Sequence, residues 1–385
     1  MRMLFSPFSY EMPTRVEFGR GAAKKAGEEV KRAGGARALV ISDGGVSGAG
    51  LLDRVTKSLD DAFVPWKLFL DVEPNPKDRN VHRAADEARE FGADCLVAVG
   101  GGSPIDCAKA TAVVAAAGGR VRDYEGRFKS AVPPLPVIAV PTTAGTASEV
   151  TFGAVITDTA ARFKFTVKSP LIAPRAALAD PEMTATMPKN LTAFTGMDAL
   201  THAIEAYSCR VSTPFSDAPA IVAMELIGKY LRRAWEDGSD MEAREGMLLG
   251  SLLAGVAFSH SDVASVHCLA EALGAMYDAP HGACNAIALP AVMEFSMDAA
   301  VDRYARVASC LGLKFSSSEE GASAAVEEVK QLARDLGLPT LSAFGVRAED
   351  FAEIGEKSEK NGSNPSNPKI MTRDDYVEVL KKLTK

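Results

Sequence analysis

Four side chains of the kinds that hold divalent metals fall into two stretches with helical patterning. In TGMDALTHAIEAY, Asp198 and His202 are four residues apart, so on a helix both project from one face. In SVHCLAEALGAMYDAPHGACNA, His267 sits in a second helical pattern and His281 in a Pro-His-Gly turn that fixes the backbone beside the ring. One carboxylate and three imidazoles make a donor set suited to a divalent transition metal. Plainer readings exist: Thr195 to Asp198 fits a capping box, which would put Asp198 at a helix start, and His202 alone would be a hydrogen-bonded core histidine. The chain has five histidines in all. Of the remaining two, His260 in FSHSD reads as a polar wall residue or one just behind the wall, and His82 as a surface residue. Cys268 and Cys284 adjoin ligand candidates, but the donor set is complete without thiolates, so both read as packing residues.

A second constellation lies earlier. AVGGGSPIDCAKA places glycines and Ser103 between an apolar run and a helical pattern. Glycine there lets backbone amides approach an anion, and the helix start adds partial positive charge. The alternative is a tight turn with Ser103 as helix cap and Pro104 at the first helical position. The loop is neither a Walker sequence nor a GxGxxG fingerprint. Asp43, closing ALVISD, could accept hydrogen bonds from an adenosine ribose and repel a 2′-phosphate, or it could cap the next helix. PTTAGTASE, Pro141 to Glu149, ends another apolar run in hydroxyls and a glycine. Three such loops on one edge favour a dinucleotide.

These residues need a scaffold. Between Ala36 and Asp180 short β-branched runs alternate with helix-compatible stretches, the rhythm of βαβ units with a buried parallel sheet whose carboxyl edge binds ligands. From about Met183 long helical periodicities take over, as in DAPAIVAMELIGKYLRRAW and VEEVKQLARDLG. The change falls at the Pro-punctuated DPEMTATMP, giving an expected α/β unit over 1–182 and an all-helical unit over 183–385. EKNGSNPSNPK, Glu359 to Lys369, reads as a surface loop before a last helix.

Composition bounds the function. With 385 residues, 47% hydrophobic and 24% charged, the chain is long enough for two cores. A net charge of −7 and the absence of a Lys/Arg-rich run argue against nucleic acid. No apolar run reaches membrane-spanning length and no export signal is recognisable. Six cysteines without a CxxC pair fit buried thiols in a reducing compartment. The expectation is a cytoplasmic protein with no membrane or nucleic-acid partner.

Taken together, GGGSPID, PTTAGTASE, GMDALTHAIEAY and VHCLAEALGAMYDAPHG resemble the iron-containing (group III) alcohol dehydrogenase family over nearly the whole chain. The resemblance implies a Rossmann-like N-terminal domain, an all-α C-terminal domain in the dehydroquinate synthase-like architecture, and a metal in the cleft between them. It implies ligation by Asp198, His202, His267 and His281. It also implies NAD contacts from Asp43, Asn75 in EPNP, Gly101, Gly102, Ser103, Thr142, Thr143, Thr151 and Lys164. The implied activity is hydride transfer between NAD(H) and a small primary alcohol or diol and its aldehyde, using Fe(II), with Zn(II) as the other possible metal, in a homodimer or higher homo-oligomer. The alternatives on the same scaffold are a hydroxyacid-oxoacid transhydrogenase, a dehydroquinate synthase-like metal and NAD lyase, and a redox-inactive nucleotide or metal sensor.

One position departs from that pattern. Many members carry a second histidine four residues after the third ligand, and here it is Glu271. Its spacing from His267 predicts a carboxylate facing the cleft, as a catalytic candidate that relays the alcohol proton or binds a substrate hydroxyl or amine. The alternative is a glutamate paired with a base across the domain interface.

Overall fold

The computed structural model describes residues 7–127 and 132–384. Nine strands form two sheets: β1 (Arg15–Phe18), β2 (Ala38–Ile41), β3 (Trp66–Phe69), β4 (Cys95–Gly100), β5 (Gly126–Arg127), β6 (Val137–Pro141), β7 (Gly153–Asp158), β8 (Phe163–Lys168) and β9 (Ala176–Ala179). Six of them make a sheet in the order β1-β9-β6-β4-β2-β3, with every pairing parallel. The central strands β2, β4, β6 and β9 are buried along their whole length, which is why they read as unbroken apolar runs. Alternate side chains feed different cores. Leu39, Ile41 and Leu96 pack with Val81 and Ile105 on one face, while Val40, Val97 and Val99 pack with Val30, Val55 and Leu59 on the other.

The second sheet, β5-β8-β7, is small and partly antiparallel. Its strand β8 carries Lys164.

Among the described residues no strand follows Ala179. The chain crosses through Pro181–Thr184, a short turn capped by Asp180, and enters the Lys189–Ser208 helix behind Pro188. The helical half shares one core, and Ala144, Ala147, Val150 and Ala177 from the first half are part of it. The two halves therefore pack without a solvent layer at this junction.

Two expectations need correction. Asp198 does not start a helix; it lies in the middle of Lys189–Ser208. Thr195 turns its hydroxyl back to the Leu191 carbonyl at 2.8 Å, the usual outlet for a threonine inside a helix, and so caps nothing. Nor is Glu359–Lys369 a surface loop throughout, since Asn364, Ser366 and Asn367 are buried. Their polar groups are satisfied inside: Asn364 Oδ1 accepts from Ser265 Oγ at 3.0 Å and from Tyr376 OH at 2.9 Å.

Candidate metal centre

Asp198 and His202 emerge one turn apart from the buried middle of the Lys189–Ser208 helix. His267 lies in the first turn of the Ser265–Tyr277 helix, and His281 opens the His281–Ser296 helix. A three-residue loop, 278–280, joins those two helices. Gly282 makes the approach possible, because a Cβ there would stand 2.6 Å from the Phe194 carbonyl oxygen on the Asp198 helix. Donor atoms of Asp198, His267 and His281 lie within 4.8 Å of one another. His202 completes the expected set at slightly longer range: its Nδ1 is 3.9 Å from Asp198 Oδ1 and its ring centroid 4.4 Å from that of His267. Phe258 stacks on its other face.

The donor chemistry fits a cation. Asn285 Nδ2 lies 2.7 Å from Asp198 Oδ1, 3.0 Å from His267 Nε2 and 3.2 Å from His281 Nε2. An amide has two protons, so with both imidazole nitrogens as acceptors three lone pairs converge on two donors and one goes unmet. His202 Nδ1 and His281 Nδ1 are likewise buried without a partner. Such an electron-rich, buried focus is what a divalent cation relieves.

Ionisation agrees with this. Burial pushes the His202 ring down to about 4 and His281 well below the ordinary histidine value, so both present neutral, ligating nitrogens at neutral pH. For Asp198 burial works upward, but the neighbouring His202, His281 and His267 outweigh it and hold the carboxyl below its usual value. His267 is different: burial disfavours its charge, yet Glu205 raises it overall.

Glu205 and Asn285 did not figure among the expected site residues. Each had a signal in its spacing. Glu205 follows Asp198 by two helical turns and Asn285 follows His281 by four residues, which places each on its ligand's helix face.

The other expected residues meet the metal donors in a single cleft of about 1200 Å³. Asp43, Asn75, Gly101, Gly102, Ser103, Thr142, Thr143, Thr151 and Lys164 line it together with Asp198, His202, His267, His281 and Glu271. The glycine loop leaves β4 into the Gly102–Ala117 helix, which begins at Gly102, so Ser103 is inside the helix and is not its cap. A Cβ on Gly102 would come within 2.7 Å of the Thr146 side chain, so the cradle between the two loops has room only for glycine. Lys109 braces it from beneath, donating to Ser148 Oγ at 2.8 Å and Thr151 Oγ1 at 2.9 Å. Of the two readings of Asp43 the cap is seen, since it accepts from Val46 N at 2.9 Å at the start of Gly44–Gly48; the side chain also lines the cleft.

Glu271 faces the cleft, where its Oε2 accepts from Asn361 Nδ2 at 2.6 Å. Burial raises its pKa against the opposing pull of Lys164, the base that faces it from the other half of the chain. His260 lies behind the wall and not in it: its Nδ1 and Nε2 meet the carbonyls of Val256 and Glu11 at 2.7 Å each, and its ring stacks on Tyr10 behind the cleft-lining Phe152. His82 is half-buried and takes a long bond from Val121 N. All six cysteines are free and buried, and burial pushes the Cys284 thiol up to about 12, which agrees with packing roles.

Comparison with known proteins gives the following. Residues 13–181 match the family described as iron-containing alcohol dehydrogenase, and residues 192–384 match the C-terminal description of the Fe-containing alcohol dehydrogenase family. An NAD-dependent methanol dehydrogenase of Bacillus methanolicus is 38% identical over 376 residues, covering 97% of this chain and 99% of that protein. A choline dehydrogenase of Bacillus subtilis (strain 168) is 39% identical over 381 residues, 97% of this chain and 94% of that one. A crystal structure of a 1,3-propanediol oxidoreductase superposes with a TM-score of 0.95 at 38% identity, covering 98% of this chain and 100% of its own.

Proposed function

The chain belongs to the iron-containing alcohol dehydrogenase family, and we propose that its cleft oxidises a small primary alcohol or diol, and reduces the aldehyde, at a metal held by Asp198, His202, His267 and His281. It is a metal-dependent NAD(H) oxidoreductase. When bound, iron supplies Lewis acidity toward the alcohol oxygen and NAD accepts the hydride. The observation that carries the reading is the convergence of the metal-type donors and the strand-end loops on one cleft.

The chain's own residues divide the work. Glu205 and Asn285 orient the imidazoles and the carboxylate. Asp43, Asn75, Gly101, Gly102, Ser103, Thr142, Thr143, Thr151 and Lys164 would hold the nucleotide on their side of the cleft, where the start of the Gly102–Ala117 helix would favour its phosphates. Glu271, on the metal side, holds or passes a proton, or receives a substrate's hydroxyl or amine. Names among the relatives, methanol, choline and 1,3-propanediol, share a terminal hydroxymethyl group and no carboxylate. A carboxylate beside the cleft suits that range better than a hydroxy acid, which makes the transhydrogenase the weaker reading.

The nucleotide unit is taken as 1–182 and the helical unit as 183–385. A homodimer is supported by β1, whose outer edge is unpaired among the described residues and which exposes Val16 and Phe18. No described helix is long and apolar enough to cross a membrane, and the free buried thiols support a cytoplasmic location.

The test is NADH formation from a panel of primary alcohols, diols and hydroxy acids, after chelation and reloading with Fe(II) or Zn(II). Turnover that survives full metal removal would overturn the ligand assignment.

A further inference from the structure

The two halves of the chain also touch beside the cleft, around Asp278. Asp278 Oδ1 accepts from Asn75 Nδ2 at 2.8 Å and from Lys77 Nζ at 2.7 Å. Asn75 Oδ1 in turn accepts from Lys164 Nζ at 2.7 Å, and Asn75 Nδ2 also reaches the Ala279 carbonyl at 3.4 Å. Close by, Arg162 donates to the Met276 carbonyl at 2.9 Å. Lys164 and Asn75 line the cofactor side of the cleft. Asp278 and Ala279 belong to the three-residue loop between the helices that bear His267 and His281.

The backbone marks the same place. Five described non-glycine residues have positive φ, and three of them are here: Asn75 (49°), Arg162 (50°) and Asp278 (52°). Asparagine and aspartate tolerate that region better than other residues, but arginine does not, and each such residue costs roughly 1 kcal/mol or more. A contact that concentrates strained backbone on both partners is held by its surroundings, and such places cluster at sites that act.

As a stabilising device the latch is weak. The Asp278 side chain is 60% exposed, and an ion pair so placed contributes little to folding. Its distinctive property is position, because it grips the one loop that sets the spacing of His267 and His281, and its far end is a lysine that faces the cofactor's side of the cleft.

We infer that Asp278 is a positioning residue through which the cofactor side and the metal side of the cleft sense each other, by way of Asn75, Lys77 and Lys164. A ligand that engages Lys164 or Asn75 alters the grip on residues 278–279 and so the approach of His281 to the other donors. By linkage, a metal that fixes His281 alters the hold on the nucleotide to the same degree. This rests on the metal and NAD assignments above.

The experiment measures NADH affinity by fluorescence in chelated protein and in protein loaded with Zn(II) alone, and Zn(II) affinity with and without NADH. The expected wild-type result is a coupling factor of at least about fivefold, the low end of ordinary allosteric coupling, equal in both directions. Asp278→Gly removes the carboxylate without backbone strain at φ 52°. Lys77→Met removes one of the two grips on Asp278 without touching the loop and leaves the Asn75 bond in place. Asp278→Gly should bring the factor to about one and Lys77→Met should lower it part of the way, while each ligand still binds alone. Asp278→Asn, which keeps an acceptor for Asn75 and tolerates the same φ, should recover most of it. A wild-type factor of one, full coupling in both cut variants, or no recovery with asparagine would overturn the inference alone. Failure of the wild-type protein to bind Zn(II) and NADH at all would overturn the functional assignment and this inference with it.

Discussion

His267 Nδ1 and Glu205 Oε2 are 2.5 Å apart, both buried, and the same carboxylate accepts the backbone amides of Ala264 and Val266. The proton on Nδ1 therefore belongs to this pair, which leaves Nε2 as the lone pair turned toward Asp198. Glu205→Gln should weaken metal binding by roughly tenfold to a hundredfold, as loss of such a supporting group commonly does. Metal content after dialysis against graded chelator would show it. An unchanged metal affinity would mean that helix packing alone orients the ring.

In the chelated protein the two depressed ligand rings should contribute a loss of thermal stability as pH falls below about 6.5. The native His202 ring, held near 4, and His281, held lower than usual, refuse protons that the unfolded chain accepts. The unfolded state then binds more protons, and stability rises with pH through that window and is lost on acidification toward 4. His267, raised by Glu205, works in the opposite sense, adding stability below about 6.5 that fades as pH rises. Glu149, pushed up to about 7 by burial, also works in that opposite sense, so the share of the two depressed rings is read from the difference between wild type and variant. His202→Asn should flatten the melting temperature against pH, and an equally steep curve in that variant would remove His202 from the explanation.

NAD should be preferred over NADP, because Asp43 lines the cleft at the carboxyl end of β2, where it would repel a 2′-phosphate. Asp43→Gly should relax the preference at a cost of a few tenths of a kcal/mol from the weakened cap. Comparison of kcat/KM for the two nucleotides decides it. Equal use of both by the wild-type protein would reduce Asp43 to a helix cap.

Glu271→Gln should shift the ratio of kcat/KM for neutral over carboxylate-bearing alcohols toward the latter, or move the pH profile of turnover. Its partner Asn361 provides a control, since Asn361→Ala frees the carboxylate while leaving the charge in place. Were both variants to behave like wild type, Glu271 would be no more than a partner for Lys164 across the interface.

Gly282→Ala should displace His281 from the other donors, because the new methyl would meet the Phe194 carbonyl oxygen at 2.6 Å, backbone that cannot turn aside. Metal content near zero with a retained helical spectrum is the expected result; a full metal complement would show that the helices can part without cost.

That Asp198 and His202 share a face was legible because helix periodicity fixes which side chains stand one turn apart. The strand-end loops were legible because buried parallel strands leave unbroken apolar runs, as in β4 and β6. Capping was misread at Thr195, where a hydroxyl bonded back along the helix looks in sequence like one at a helix start; Pro188 was the truer signal of where the helix begins. Polarity was misread at Asn364 and Asn367, since composition does not tell a hydrated side chain from one whose partners are Ser265, Tyr376 and Ser296. The latch at Asp278 joins residues far apart in the chain, and no local spacing announces it.

The shortness of the 278–280 loop also bears on how the site comes together. His267 and His281 meet by closing a small hairpin of helices, a local event with a low entropic cost, whereas Asp198 and His202 must arrive from a distant part of the chain. The two helices that carry His267 and His281 can thus pair early, and the donor set is complete only when the long-range contact with the Lys189–Ser208 helix has closed.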